Sequence, residues 1–400
     1  MTILKKLCII ISLFLFTGCS SQVYNVSSSD NLQNEESYSN NNQTINIYNI
    51  ENEVIGEIEH YGQITLIDDG IIFTKQPQIS GDDIIRMEYY RYYFKTNEVI
   101  KIGTVDNWAY EASYCNILHN NHLYMLISTG EILYPEKRYL ELYDIDLNTN
   151  TMSKLTSQLG GFPYSSMTYN EGKLYIIKLI STGGCYLEEY DIKSNDSTTI
   201  MEFEYDSNTD TGEMIRQIFP VNDNMALLKV KYETLNNISL YIDIYDMKMN
   251  LQSSIDISSM SNDINQLAQG VSHFTVANKY FYYGNFSTLR YLGQIDKSNI
   301  NSIINTNSTF AMATDIFPRS DSSLFYQSFD IYNNLYLFDY SNGTIKKSSF
   351  ELDDDRYYIM NMSRNSNNDL LFTMFYKDAI TGEELTPRLY YVNICDLNFK

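Results

Sequence analysis

The chain has 400 residues, with 28 Lys and Arg against 50 Asp and Glu, a formal charge of −22. That balance argues against nucleic acid as a partner, because a phosphate-binding surface needs surplus basic side chains. Hydrophobic residues at 44% suffice for a packed core, whereas 5 Cys and 4 His leave little room for a disulfide scaffold or a multi-histidine metal centre.

At the N-terminus, Lys5 and Lys6 precede an apolar run from Leu7 to Phe16. The run is too short to span a bilayer and has the pattern of an export signal. The stretch Phe16-Thr17-Gly18-Cys19-Ser20 resembles the lipobox of bacterial lipoproteins, with Phe16 where Leu is usual. The resemblance implies that residues 1–18 are a signal peptide and that Cys19 is lipidated. The protein is then expected on the cell membrane, lipid-anchored and facing outside the cytoplasm. Loss of residues 1–18 removes Lys5 and Lys6 and leaves 26 basic against 50 acidic residues, a mature charge of −24. Residues 19–43 are rich in Ser, Asn and Glu and poor in aliphatics, which predicts a flexible polar tether. No second apolar stretch of spanning length follows. Cys115, Cys185 and Cys395 are widely spaced, without a CxxC pair, and read as small buried hydrophobes.

Residues 44–400 are predicted to form one all-β domain, because a strand-and-turn pattern repeats through them. The aligned segments begin at Tyr93, Tyr143, Tyr190, Tyr245, Ile295, Phe338 and Cys395, spaced by 50, 47, 55, 50, 43 and 57 residues. Asp stands second in six of them, at Asp144, Asp191, Asp246, Asp296, Asp339 and Asp396. Ile218-Phe219-Pro220 recurs as Ile316-Phe317-Pro318, 98 residues on, which is two periods. Short apolar runs such as Leu123–Leu126 and Leu174–Ile177 alternate with turns at Gly172, Gly183-Gly184 and Asn342-Gly343. About four short strands per period is the arithmetic of a β-propeller blade.

The aliphatic-Tyr-Asp-aliphatic strand followed by an Asn/Thr/Gly turn resembles the YVTN, Kelch and quinoprotein-like propeller repeats of bacteria. The resemblance implies a propeller and says little about chemistry. No Kelch Gly-Gly register holds through the copies, no WD dipeptide occurs and Trp108 is the only tryptophan, so quinone binding is not carried over. Seven blades are expected, with eight as the alternative because Tyr48-Asn49-Ile50 also resembles the anchor. The last repeat stops after its third strand, and Glu53–Ile58 is expected to supply the fourth and close the ring.

The Tyr-Asp pairs read as structural: the ring packs between blades and the Asp starts the turn by accepting backbone N–H bonds. Asp206, Asn208 and Asp210 alternate like the start of a calcium loop, but Gly212 falls one place late and Gln217 stands where a bidentate Glu belongs. Calcium is therefore a weak expectation, and no other cofactor is indicated. His119 and His122, read as parts of one strand, would face opposite ways and share no metal. The 36 tyrosines fit blade packing. Segments 77–83, 106–114, 130–137, 160–165 and 205–214 depart from the repeat and are the expected binding loops. The leading functional expectation is a non-catalytic module for a protein or cell-wall ligand. A hydrolase or lyase with paired carboxylates is the first alternative, and a solute-binding lipoprotein serving a transporter is the second.

Overall fold

The computed structural model describes residues 37–40, 43–48, 65–79, 85–111, 116–130, 138–156, 167–179, 184–206, 208–209, 211–221, 224–234 and 237–258, and the strands between 273 and 393. Among these residues there is no α-helix, hence none long and apolar enough to cross a membrane, and the strands fall into seven antiparallel sheets. Sheet 1 takes Thr65–Ile67, Gly70–Ile79, Ile85–Tyr93 and Val99–Asp106 in chain order. In sheet 2, Thr151–Thr156, Arg138–Asp146 and His122–Gly130 lie side by side, and both Trp108–Glu111 and Ile117–His119 pair with the last of these. Sheet 3 runs Met167–Asn170, Lys173–Leu179, Cys185–Asp191, Asp196–Phe203. Sheet 4 adds a short first strand, Tyr205–Asp206, to Thr211–Val221, Asn224–Thr234, Asn237–Asp246 and Leu251–Asp256. Sheets 5 and 6 are four-stranded, covering 273–305 and 313–347.

Sheet 7 joins the two ends of the chain. Tyr358–Arg364, Asp369–Phe375 and Arg388–Asn393 are its C-terminal strands, and the strand bonded to the last of them is Gln43–Tyr48, with Ser37–Asn40 outside it. The strand expected in that place, Glu53–Ile58, lies outside the described residues, so the partner comes from earlier in the chain. Paired strand accordingly starts at Ser37, within the stretch expected as tether. Gln43–Tyr48 alternates Thr44, Asn46 and Tyr48 with Ile45 and Ile47, the period-two pattern of a strand.

The sheets group into two compact units: sheets 1, 2 and 7 in one, sheets 3, 4, 5 and most of 6 in the other. In the first, sheets 1 and 2 share a core of Ile72, Met87, Tyr89, Val105, Trp108, Met125, Ile127 and Tyr143. In the second, Tyr175, Ile177, Leu187, Ile215, Leu227 and Tyr245 do the same between sheets 3 and 4. Leu123–Thr129 is buried at every position, on both faces, as a strand packed between two neighbouring sheets must be. By contrast the outer strand Thr151–Thr156 has no buried position. Ile218-Phe219-Pro220 and Ile316-Phe317-Pro318 occupy matching places in sheets 4 and 6, each facing the following strand across a short turn.

Turns in sheets 3 and 4 follow the repeat. Asp191 Oδ1 accepts the N–H groups of Lys193 and Ser194 at 2.9 Å, and Asp246 Oδ1 those of Lys248 and Asn250 at 2.9 Å. The hydrogen-bonding backbone holds both carboxyls below the usual range, for Asp246 after the Asn250 side chain. Tyr190 and Tyr245 are buried. Sheet 2 differs. Its turn Asp is Asp146, which accepts Asn148 N–H at 2.8 Å, while Asp144 sits two residues earlier inside the strand. Leu142-Tyr143-Asp144-Ile145-Asp146 offers two anchors two residues apart, and a two-residue shift leaves every side chain on its own face. In sheet 1 the turn likewise starts at Tyr93, with Tyr92 bonded to Asn97 at 2.7 Å. Asn97, Asn150, Asn195 and Met249 close these four turns at positive φ. Phe338 and Asp339 end the strand Leu335–Asp339. Asp296, Asp396, Cys115, Cys395 and Cys19 lie outside the described residues, and Cys185 is fully buried.

Candidate functional site

Two places in the described structure gather ionisable groups beyond the needs of the repeat. The first is where the chain leaves sheet 3 for sheet 4. After Phe203 the backbone passes through Glu204 and immediately enters the two-residue strand Tyr205–Asp206, which pairs with Thr211 and Gly212. Glu204 carbonyl accepts Glu213 N–H at 2.8 Å, pinning the crossing. The approach is so close that only glycine fits: Gly212 has φ +130°, and a Cβ there would lie 2.2 Å from Glu204 O.

Beside this crossing opens a recess of about 680 Å³, with Glu202, Glu204, Asp206 and Glu213 on its wall and Met201 and Phe203 among its apolar lining. Glu202 is the next-to-last residue of the strand Asp196–Phe203 and Glu204 the first past its end, and both are exposed. Glu202 stands opposite Tyr186 in the register, and its charge pushes the Tyr186 hydroxyl pKa up, with burial adding to the rise. Glu213 lies 3.4 Å from Lys229, whose ammonium is also 2.7 Å from the buried Asp243. Tyr205 packs on Tyr232 with ring centres 4.9 Å apart. Several carboxylates around one partly apolar hollow can do acid-base work on a neutral substrate or hold a cationic group.

The weak calcium expectation falls on this hairpin. Asp206 Oδ1 accepts Asn208 N–H at 2.8 Å and Asn208 Nδ2 at 3.1 Å, the geometry of an Asx turn. The Asn208 backbone bond and the Thr209 hydroxyl hold the Asp206 carboxyl below its usual range. Asp210 lies outside the described residues, and among those described no three His, Cys, Asp or Glu side chains converge as a metal set.

The second place is the end of sheet 2. His119 and His122 do not share a strand: Asn120 and Asn121, at φ 49° and 62°, form a two-residue turn, and the two histidines face each other across it. Both therefore lie on one face, which corrects the expectation of opposite faces. His122 Nδ1 lies 2.9 and 3.0 Å from the two oxygens of Asp144, and since a carboxylate only accepts, Nδ1 carries the proton. Asp144, released from turn duty by Asp146, thus orients an imidazole instead. The missed signal was Asn-Asn between two apolar runs, a hairpin turn without glycine.

No family model matches the sequence. A comparison with curated proteins gives no match either. Solved structures do match in fold. An oligogalacturonate lyase from Vibrio parahaemolyticus superposes with a TM-score of 0.52 at 12% identity, over 90% of this chain and 96% of that one. The polysaccharide lyase Uly1 gives 0.52 at 9% identity, over 84% and 90%. The β-propeller domain of the Trilobed protease from Pyrococcus furiosus gives 0.50 at 13% identity, over 85% and 97%. The fold is a β-propeller. At these identities the likeness carries the fold and nothing finer.

Proposed function

We propose that the chain is an exported, lipid-anchored propeller that works as a glycan hydrolase or lyase outside the cytoplasm, using the carboxylates of the recess beside the sheet 3 to sheet 4 crossing. The observation that carries this reading is that recess: four acidic side chains around a hollow large enough for one sugar ring, with aliphatic and aromatic lining. Two of the fold neighbours being named as lyases of carbohydrate polymers adds support. It moves weight from the non-catalytic module, the leading expectation of the sequence, to its first alternative. Export and lipidation at Cys19, as the N-terminal resemblance implies, agree with a substrate found outside the cytoplasm.

Charge narrows the substrate. A chain of −22 with four acids at its recess repels a polyuronate, so a neutral or amino-sugar glycan fits better than an acidic one. A neutral glycan has no acidic proton beside a carboxylate for elimination, which favours hydrolysis over lyase chemistry. The test is product analysis. Purified protein incubated with neutral, amino-sugar and uronate glycans should release new reducing ends from one of the first two, without an unsaturated sugar. Tight binding with no cleavage of any glycan would return the reading to the binding module. Detergent phase separation of cells should find wild-type protein with the membrane and Cys19→Ala protein in the aqueous phase; equal partition would remove the anchor.

A further inference from the structure

We propose that the end of sheet 2 bearing His119 and His122 is a pH-responsive contact, which loosens the Asn120-Asn121 hairpin and the turn after Asp146 when the medium acidifies. This goes beyond the glycan reading and does not depend on it. Equivalent places in sheets 2 and 3 differ in charge. In sheet 2 the register lines up His119, His122 and Asp146 across three strands, with Asp144 bonded diagonally to His122. In sheet 3 the same places hold Asn170, Lys173 and Asp191, with Glu189 bonded to Lys173 at 2.5 Å. Sheet 3 thus has a permanent ion pair beside a neutral Asn. Sheet 2 has a titratable base in place of Lys and a second titratable base in place of Asn.

The groups facing His122 among the described residues are His119 on one strand, Asp144 and Asp146 on the next, and Tyr124, whose ring stacks on the imidazole at 6.1 Å. From sheet 1, Arg91 reaches the following turn through Leu147 O and Asn150 Oδ1, and Arg91 itself is paired with Asp69. His122 stands beside Asp144 and directly across the register from His119. A proton on His119 meets partial burial and then the charge on His122 directly opposite, and both hold His119 below its ordinary range. The sign follows: stability from neutral His119 is intact above the ordinary imidazole value of about 6.5 and is lost as pH falls through it toward the lower folded value.

The strain has a route outward. Asn121 O accepts Leu147 N–H at 2.8 Å, and Asn121 Nδ2 donates to Asn148 at 3.0 Å, so the hairpin turn props the turn that holds Arg91. An exported protein meets external pH directly, where such a histidine pair can respond.

Hydrogen exchange read by mass spectrometry on the whole protein at about pH 7.5 and about pH 5 tests this. After correction for the intrinsic pH dependence, residues 117–123 and 146–150 should exchange about tenfold faster in acid, the order expected for like charges some 5 Å apart in a half-solvated site. The matching segments of sheet 3, 169–174 and 191–195, should not change. His119→Asn, the residue sheet 3 uses there, should abolish the acceleration, with His119→Gln as the substitute if the Asn variant does not fold. Equal exchange at both pH values, or full acid response in the variant, overturns the proposal.

Discussion

Replacing Arg91 with Ala should destabilise the unit that contains sheets 1 and 2 by about 2–3 kcal/mol. Arg91 is 5% exposed and its guanidinium ties the two sheets together. Nη2 lies 2.8 Å from both oxygens of Asp69, Nη1 is 2.7 Å from Asn150 Oδ1 and also bonds Leu147 O, and the group lies 4.3 Å from the centre of the Tyr93 ring. Asp69 is half exposed, so the ion pair is screened and contributes only about 1 kcal/mol. The two bonds to neutral acceptors add about 1 kcal/mol each. Against these stands the buried Nε, which finds no acceptor and lowers the total. Arg91→Lys keeps a charge but not the planar fork, and should cost about half as much. Urea unfolding followed by near-ultraviolet circular dichroism reads the midpoint. An Arg91→Ala midpoint equal to wild type at unchanged slope would refute the claim that this side chain joins the two sheets.

Three further outcomes are expected. Gly212→Ala forces a Cβ against Glu204 O and a strained φ, so it should lower thermal stability by at least about 2 kcal/mol, whereas Gly172→Ala, where no atom lies near, should cost only the backbone strain of its positive φ, about 1 kcal/mol. Burial pushes the Cys185 thiol up to about 11, so iodoacetamide should label it only after unfolding; modification of native protein within minutes at neutral pH would contradict its buried setting. Deleting residues 1–48 strips Gln43–Tyr48 from the Arg388–Asn393 strand and bares an edge, so the truncated protein should aggregate while a deletion of 1–36 stays soluble.

The propeller was legible because packing repeats. A ring or aliphatic side chain followed by a turn recurs from repeat to repeat, so a period near 50 residues survives in the sequence. The register of single blades was less legible. In sheet 2 both Asp144 and Asp146 can follow a buried ring or aliphatic, and the two choices put identical faces inward, so only the turn hydrogen bonds distinguish them. The closing strand was misplaced because Gln43–Tyr48 and Glu53–Ile58 are both short runs mixing aliphatic and polar residues, and pairing across more than 340 residues leaves no local mark. For the candidate site, 205–214 stood out as a departure from the repeat and proved to form one wall of the recess. Glu202 and Glu204 were hidden, because at the exposed end of an outer strand they look like an ordinary solvated face, and nothing local shows that Asp206 and Glu213 line the same hollow.

The most direct test of the glycan reading is kcat/KM on the glycan that the protein cleaves, compared between wild type and Glu202→Gln/Glu204→Gln. The double variant removes two charges without changing shape, and unaltered circular dichroism and melting would certify the fold. A loss of about 10²-fold or more is predicted, the scale of acid-base catalysis. Activity unchanged in the double variant would contradict the account and move the chemistry away from this recess.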